Sequence, residues 1–72
     1  MEKFGEKLRQ LRNRERMTLK ELAQKLGLTA HGYISELEAG KKKPTAEIVL
    51  TLSRLFNVST DQLLKDELVI EI

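Results

Sequence analysis

The side chains with the clearest chemistry lie in the segment "TAHGYISELEAGKKKP", residues 29–44. It contains the chain's one histidine, His31, and its densest basic run, Lys41, Lys42 and Lys43. Adjacent ammonium groups can neutralise phosphates, which releases condensed counterions and gives affinity without sequence information. A solvated loop or a localisation signal would also explain the run.

The remaining residues argue against an enzyme. With one histidine and no cysteine, the chain can form no disulfide or thiolate metal site, and no residue spacing matches a metal-ligand pattern. There is no glycine loop of the phosphate-cradling type. The acidic pairs fall on predicted outer faces or at helix caps, where a solvated or capping role suffices. We therefore expect no catalytic residue, metal or cofactor.

Charge is unevenly divided along the 72 residues. Residues 1–44 carry 11 Lys and Arg against 6 Asp and Glu, whereas residues 45–72 carry 2 against 5. A basic and an acidic part suggest a side that faces a polyanion and a side kept away from it, the alternative being a mixed solvated surface. No signal-peptide core and no run of about 20 apolar residues occurs, so we expect a cytoplasmic protein without membrane contact.

Apolar spacing predicts helices over most of the chain. Phe4, Leu8 and Leu11 recur at i, i+4 and i+7, which predicts a first helix over about residues 2–13 with Arg and Lys on its outer face. Thr18 and Glu21 fit a capping box that opens a second helix. Glycines predict the ends of the second and third helices, because glycine adopts the left-handed conformation cheaply. These glycines are Gly27 and Gly40.

Two further helices are predicted after Pro44. Thr45 is a good N-cap for the fourth helix, and Ser59 with Gln62 forms a second candidate capping box for the fifth. The fourth helix has the widest apolar stripe: Ile48, Val49, Leu52, Leu55 and Phe56. We therefore expect an all-α, compact five-helix domain over residues 1–66, followed by a short tail over residues 67–72.

The tail alternates like a strand, with Leu68, Ile70 and Ile72 set against Glu67 and Glu71. A single exposed strand has nothing to pair with in a helical monomer. The tail therefore either covers or pairs across a dimer interface, or is a frayed terminus.

The predicted third helix has the form of a DNA reader. The major groove of B-DNA is about 12 Å wide and admits one helix whose outer face carries small or polar groups. Ser35 and Glu36 lie opposite Ile34 and Leu37, and the lysine run follows directly. This arrangement favours double-stranded DNA as the partner.

From Leu11 to Pro44 the chain resembles the helix-turn-helix domain of lambda-type phage repressors, Cro proteins and their bacterial relatives, the Xre family. The resemblance rests on "TLKELAQKLGLT" and "YISELEAGKKKP". It implies a lambda-repressor-like fold with the helix-turn-helix over about residues 18–38 and a recognition helix over about 30–38. The expected function is a sequence-specific transcriptional regulator. One short reading helix favours a homodimer on a partly palindromic operator, with the two helices about 34 Å apart.

Two departures from the family pattern affect the site. Leu19 stands where the family commonly has a glutamine that contacts phosphate, so that contact is either absent or made by backbone N–H groups and Lys20. The turn after Gly27 is one residue longer than usual. Either Thr29 caps a longer third helix, or that helix begins near Gly32.

The candidate site residues fall into three groups. The residues expected to contact base edges are His31, Gly32, Ser35 and Glu36. The residues expected to contact phosphates are Lys20, Thr29, Tyr33, Lys41, Lys42 and Lys43. The resemblance also implies an inward ion pair between Arg12 and Glu38, which would fix how the first helix meets the third.

Several of these residues have simpler alternative roles. His31 could cap the helix start in water, Glu36 could pair with a surface lysine, and Ser35 could be a spectator. Tyr33 could pack its ring on the edge of the core. An alternative function keeps the fold but binds a protein partner, antitoxin-like or regulator-binding, through the acidic C-terminal part.

Overall fold

The computed structural model describes residues 1–71. Five helices follow one another along the chain: α1 (Phe4–Arg14), α2 (Leu19–Lys25), α3 (Gly32–Glu38), α4 (Ala46–Phe56) and α5 (Thr60–Leu64). Within residues 1–71 there is no strand. The predicted all-α, five-helix fold is confirmed. None of the helices in this part of the chain has the length and apolar character needed to traverse a bilayer.

The three predicted N-caps are present. Thr18 Oγ1 accepts from the Glu21 N–H at 3.0 Å, and the Glu21 carboxylate accepts from the Thr18 N–H at 2.9 Å. Ser59 and Gln62 form the same reciprocal pair at α5. Thr45 Oγ1 accepts from the third residue of α4, the Ile48 N–H, at 3.2 Å. Each cap satisfies a backbone donor that the helix itself leaves free.

The helices also end as glycine positions predict, but two ends use other residues. Gly27 and Gly40 have φ of 72° and 77° after α2 and α3. Arg16 and Asn57, each with φ of 55°, take the equivalent place after α1 and α4. At α1, the Met17 N–H then donates to the Arg12 carbonyl at 3.0 Å, which closes a Schellman motif.

All five helices contribute side chains to one hydrophobic core, in which leucine is the commonest residue. α1 packs against α3 and α5, α2 packs on α3, and α4 packs on α5. Phe4, Leu8 and Leu11 are buried as predicted, whereas Ile48 and Leu55 of the predicted α4 stripe are only partly buried. The buried hydrophobic residues are Phe4, Leu8, Leu11, Leu22, Ala23, Ile34, Leu37, Val49, Leu52, Phe56, Leu63 and Ile70.

Gly5 allows α1 to approach the end of α3. A Cβ at this position would lie 2.5 Å from the carbonyl oxygens of both Leu37 and Glu38, a distance that real Cβ atoms do not reach. Since both neighbours are backbone atoms, they cannot rotate away. A residue without a side chain is therefore required where the first and third helices cross.

Lys7 corrects the expectation that the basic residues of the first helix lie on its outer face. Its side chain is only 6% exposed. The Nζ donates to the carbonyls of Gln62, Lys65 and Leu68 at 2.5, 2.8 and 2.7 Å. All three ammonium donors are thus satisfied, and the end of α5 is held against α1.

Asp66 joins the other end of α1 to the same C-terminal segment. Its carboxylate accepts from the backbone N–H groups of Glu2 and Lys3, both at 2.9 Å, and lies 3.2 Å from the Met1 amino group. These contacts, led by the Lys3 N–H, lower the pKa of Asp66 to about 2. Asp66 therefore serves as a cap for α1 from a distant part of the chain.

The tail is held against the domain as far as Ile70. Ile70 is 7% exposed and belongs to the core, and the Leu68 carbonyl accepts from Lys7. This arrangement differs from the frayed terminus that was one of the two expectations. Val69 between them is 75% exposed. Ile72, the last residue of the predicted alternation, lies outside the described residues.

Candidate nucleic-acid interface

Helix α3 presents one face to the core and the opposite face to solvent. Ile34, Leu37 and Glu38, at i, i+3 and i+4, are buried. Gly32 and Ser35 lie on the opposite side and are exposed, while Glu36 is partly exposed. A Cβ added at Gly32 would meet no atom within 4 Å. The outer face therefore carries no bulky side chain at this point, and another molecule can approach the helix closely.

The structure distinguishes between the two expected starts of this helix. It begins at Gly32, two residues later than the predicted range of about 30–38. His31 occupies the N-cap position, but its side chain makes no capping hydrogen bond. Thr29 lies outside the helix and is exposed. The extra residue therefore lies in the turn before α3 and does not extend the helix. The Leu28 N–H closes the preceding helix α2 on the Ala23 carbonyl at 2.8 Å.

An ion pair connects the inner face of α3 to α1. Arg12 Nε lies 2.6 Å from Glu38 Oε2, and Arg12 Nη2 lies 3.1 Å from the other carboxylate oxygen. A third Arg12 nitrogen donates to the Met17 carbonyl at 2.9 Å. The hydrogen bonds to Glu38 raise the pKa of Arg12. The guanidinium therefore stays charged and bridges α1, the following turn and α3.

Arg9 contacts the same carboxylate, and the sequence reading did not single it out. Its Nε lies 3.4 Å from Glu38 Oε1, and its side chain is 57% exposed. The available signal was its position, one helical turn before Arg12, which places both arginines on the same side of α1. Arg9 adds positive charge at the edge of the α1–α3 contact.

The basic loop, Lys41 to Lys43, begins after Ala39 and Gly40, the two residues that follow α3. The Gly40 and Lys41 N–H groups donate to the Leu37 and Glu36 carbonyls at 3.2 and 2.9 Å, which closes a Schellman motif. Lys41, Lys42 and Lys43 are all exposed. The fixed helix end therefore places the lysine run next to the open face of α3.

One of these lysines is engaged within the site. Lys42 Nζ lies 3.6 Å from Glu36 Oε1 and 5.9 Å from the centre of the Tyr33 ring. Tyr33 itself is half-buried and packs against the core. The pairing of Glu36 with a surface lysine, one of its two expected roles, is thus present in the unbound chain.

The remaining candidates lie around this centre. Lys20 is exposed in the first turn of α2, and His31 is exposed at the leading end of α3. Leu19, which replaces the family glutamine, is partly buried against the core. No group of three or more His, Asp or Glu side chains able to hold a metal ion occurs within residues 1–71.

Comparison with known proteins identifies the class. The helix-turn-helix family model HTH_3 matches residues 8–63. The chain belongs to the Xre or lambda-repressor-like helix-turn-helix family, which confirms the resemblance seen in the sequence. This is a family of transcriptional regulators, so the expectation that the chain is not an enzyme is also confirmed.

Two of the similar proteins come from Bacillus subtilis. The chain is 39% identical over 61 residues to the uncharacterized HTH-type transcriptional regulator YobD, covering 85% of this chain and 54% of YobD. It is 40% identical over 65 residues to the HTH-type transcriptional regulator ImmR, covering 89% of this chain and 50% of ImmR. The chain thus spans about half the length of these curated relatives.

A solved structure shares the whole fold. The N-terminal DNA-binding domain of SinR, also from Bacillus subtilis, superposes with a TM-score of 0.81 at 28% sequence identity. The superposition covers 93% of this chain and 97% of the SinR domain. The chain therefore has the architecture of a helix-turn-helix DNA-binding domain over nearly its full length.

Proposed function

We propose that this chain is a sequence-specific DNA-binding transcriptional regulator whose helix α3 enters the major groove of double-stranded DNA. The proposal rests chiefly on the open outer face of α3 lying next to three exposed lysines. The family and the shared fold with the SinR DNA-binding domain support it. A helix whose outer face carries small polar side chains can read base edges, while adjacent ammonium groups bind the DNA backbone.

The base-reading roles follow from position on α3. Ser35 and Glu36 lie along the outer face, and His31 and Gly32 lie at its leading end. Glu36 can accept from the N4 amino group of cytosine, and His31 can donate to guanine O6 or N7. Gly32 lets the helix approach the bases closely, because there is no side chain to hold it away.

The phosphate-binding roles are assigned to residues around the edge of that face. Lys41, Lys42 and Lys43 flank its C-terminal end, and Lys20 lies at the start of α2. Thr29 in the turn and the hydroxyl of Tyr33 can each donate to a phosphate oxygen. Contacts of this kind position the protein on DNA and carry no sequence information directly.

A titration with mixed-sequence duplex DNA at two salt concentrations tests DNA binding. Affinity should fall steeply as salt rises, because each neutralised phosphate releases counterions. Lys43→Gln should weaken binding, whereas Lys65→Gln, which changes an exposed lysine just after α5, should have little effect. No binding at low salt would overturn the proposal. Selection of bound sequences from a random duplex pool then tests specificity.

We also propose that the protein acts as a homodimer on a partly palindromic operator. The reading helix α3 has only seven residues, so a twofold partner would double the base contacts and place two such helices about 34 Å apart. The exposed apolar side chains Leu50, Leu68 and Val69 provide surface for such contact. Twofold symmetry in the selected sequences would support this arrangement.

Light scattering tests the role of the tail in dimerisation. Deleting residues 67–72 would also remove Ile70 from the core, so a point substitution is the cleaner test. Val69→Asp changes a side chain that is 75% exposed and should give a monomer if the tail lies in the interface. Glu67→Ala, another exposed tail position, is the matched control. A dimer that persists in Val69→Asp removes the tail from the interface.

A second candidate is a protein-interaction module of the same fold. It is favoured by the exposed Val69 lying between Glu67 and Glu71, in the acidic part of the chain. This alternative predicts weak DNA binding that does not depend on salt. The two-salt titration therefore separates it from the DNA-binding proposal.

A further inference from the structure

An ion pair connects Glu36, which is proposed to read a base, with Lys42, which is proposed to bind a phosphate. Glu36 lies on the reading helix, whereas Lys42 lies in the basic loop, and their charged atoms are 3.6 Å apart. Both side chains are about half exposed, 42% and 53% respectively. Each is therefore free to turn toward another partner without disturbing the core.

The backbone keeps this pair together. The Lys41 N–H donates to the Glu36 carbonyl at 2.9 Å, so the start of the loop is tied to the residue that carries the carboxylate. The Tyr33 ring, 5.9 Å from Lys42 Nζ, lies beside the ammonium on the same surface. Among residues 1–71, neither Lys41 nor Lys43 forms an ion pair in the structure. Of the three lysines in the basic loop, Lys42 is thus the one whose ammonium group is already paired with a carboxylate.

We propose that Glu36 controls whether Lys42 is available to a phosphate. This inference rests on the proposed DNA-binding function. On DNA that offers no donor to the carboxylate, Glu36 retains Lys42, and the lysine contributes little to the backbone contact. On DNA that presents a cytosine N4 amino group, Glu36 bonds to the base and releases Lys42 to a phosphate. Base reading is thereby converted into an additional backbone contact.

The energy scale makes such an exchange feasible. An exposed ion pair changes an equilibrium by at most about fivefold, so a base contact can replace it. Each additional phosphate neutralised steepens the dependence of log affinity on log salt concentration by about 0.9. The preferred sequence should therefore show a salt slope about one unit steeper than unrelated DNA of the same length.

The experiment uses the full chain and two duplexes in fluorescence anisotropy titrations from 50 to 200 mM salt, roughly the range over which phosphate contacts are lost. One duplex carries the strongest sequence from a random-pool selection, and the other carries a scrambled sequence of identical composition. The proteins are wild type, Glu36→Gln, Lys42→Gln and the double variant. Lys41→Gln and Lys43→Gln serve as matched controls.

We expect wild type to have the steeper slope on the selected duplex, and Glu36→Gln and Lys42→Gln each to abolish the difference between duplexes. Glu36→Gln should also bind the scrambled duplex about two- to fivefold more tightly, because Lys42 is then free. That gain should disappear in the double variant. The two control variants should lower both slopes equally and preserve the difference.

The outcomes also separate this inference from the function on which it rests. Wild-type binding with equal slopes on the two duplexes overturns the inference alone. So does a gain in Glu36→Gln that persists when Lys42 is replaced. Failure of wild type to bind either duplex at low salt overturns the DNA-binding function as well.

Discussion

Arg12 and Glu38 fix the crossing of α1 and α3 through a two-point contact, with Nε 2.6 Å and Nη2 3.1 Å from the two carboxylate oxygens. The Glu38 side chain is 4% exposed and that of Arg12 is 15% exposed. A carboxylate this deeply buried needs its partner, because burial of an isolated charge is costly. The orientation of the proposed reading helix therefore depends on one arginine in α1.

Arg12→Ala should lower the free energy of unfolding by about 3 kcal/mol or more, since it leaves the Glu38 carboxylate buried without its main donor. Arg9→Ala is the matched control, because Arg9 contacts the same carboxylate at 3.4 Å but is 57% exposed. Its loss should stay below about 1 kcal/mol. Urea denaturation of the two variants measures the difference, and equal losses would show that the pair does not brace the helices.

Gly5→Ala should destabilise the protein by roughly 1–3 kcal/mol, because the added methyl group meets two backbone carbonyls at 2.5 Å. Gly32→Ala provides the comparison, since its methyl group would meet no atom within 4 Å and alanine favours a helix. That variant should be unchanged or more stable. Thermal unfolding of both proteins tests the close approach of α1 to α3, and a harmless alanine at position 5 would contradict it.

Lys7→Met should cost about 2–4 kcal/mol of stability, because three backbone carbonyls lose a charged donor in a partly buried place. Methionine retains most of the apolar stem, so the change isolates the ammonium group. Lys65→Met is the control, as that side chain is 55% exposed and its ammonium pairs, among residues 1–71, only with Asp61 at 3.6 Å. Chemical denaturation should separate the two variants clearly, and similar small losses would mean that Lys7 does not anchor the C-terminal segment.

Stability should fall in acid as Asp66 becomes protonated. Its pKa is about 2 in the folded protein against an ordinary value of 3.8, and the backbone N–H of Lys3 is the main cause. A carboxyl whose folded pKa is depressed contributes stability above its unfolded pKa and loses it as pH falls. The contribution is therefore present above about pH 4 and is lost as pH falls through about 2. Melting temperatures measured across this window should show a smaller decline in Asp66→Ala than in wild type, while Asp61→Ala should retain the wild-type decline.

Local signals predicted the helices well, whereas distant contacts escaped prediction. The capping boxes at Thr18 and Ser59 depend on residues three positions apart, so the sequence displays both partners. Asp66 caps α1 from more than 60 residues away, and its role depends on the folded arrangement. The same applies to Lys7, whose spacing in α1 is that of any surface lysine. Arg16 takes a left-handed conformation that glycine usually signals, so the end of α1 had no visible marker.

The site was predictable to a similar degree. Apolar spacing placed Ile34 and Leu37 inward and thereby fixed the outer face of α3. The start of α3 depends on the conformation of residues 28–31, the turn after Gly27. Apolar spacing alone did not decide whether the helix is capped by Thr29 or begins near Gly32. The Glu36 and Lys42 contact depends on a tight helix end that folds the loop back toward the helix. The sequence allowed Glu36 to pair with a surface lysine, and the structure identifies that lysine as Lys42.

Ser35→Leu should weaken DNA binding while leaving the fold intact. Ser35 is exposed on the outer face of α3, so a larger side chain there disturbs no internal contact, and leucine has the higher helix propensity. In the groove, however, the same side chain would hold the helix away from the bases and disrupt neighbouring hydrogen bonds. We expect unchanged or higher thermal stability and a loss of about tenfold or more in affinity for a selected duplex, the value of one good base contact. Asn13→Leu, on the exposed side of α1, should keep wild-type affinity. Retained affinity in Ser35→Leu would mean that this face of α3 is not the one that meets DNA.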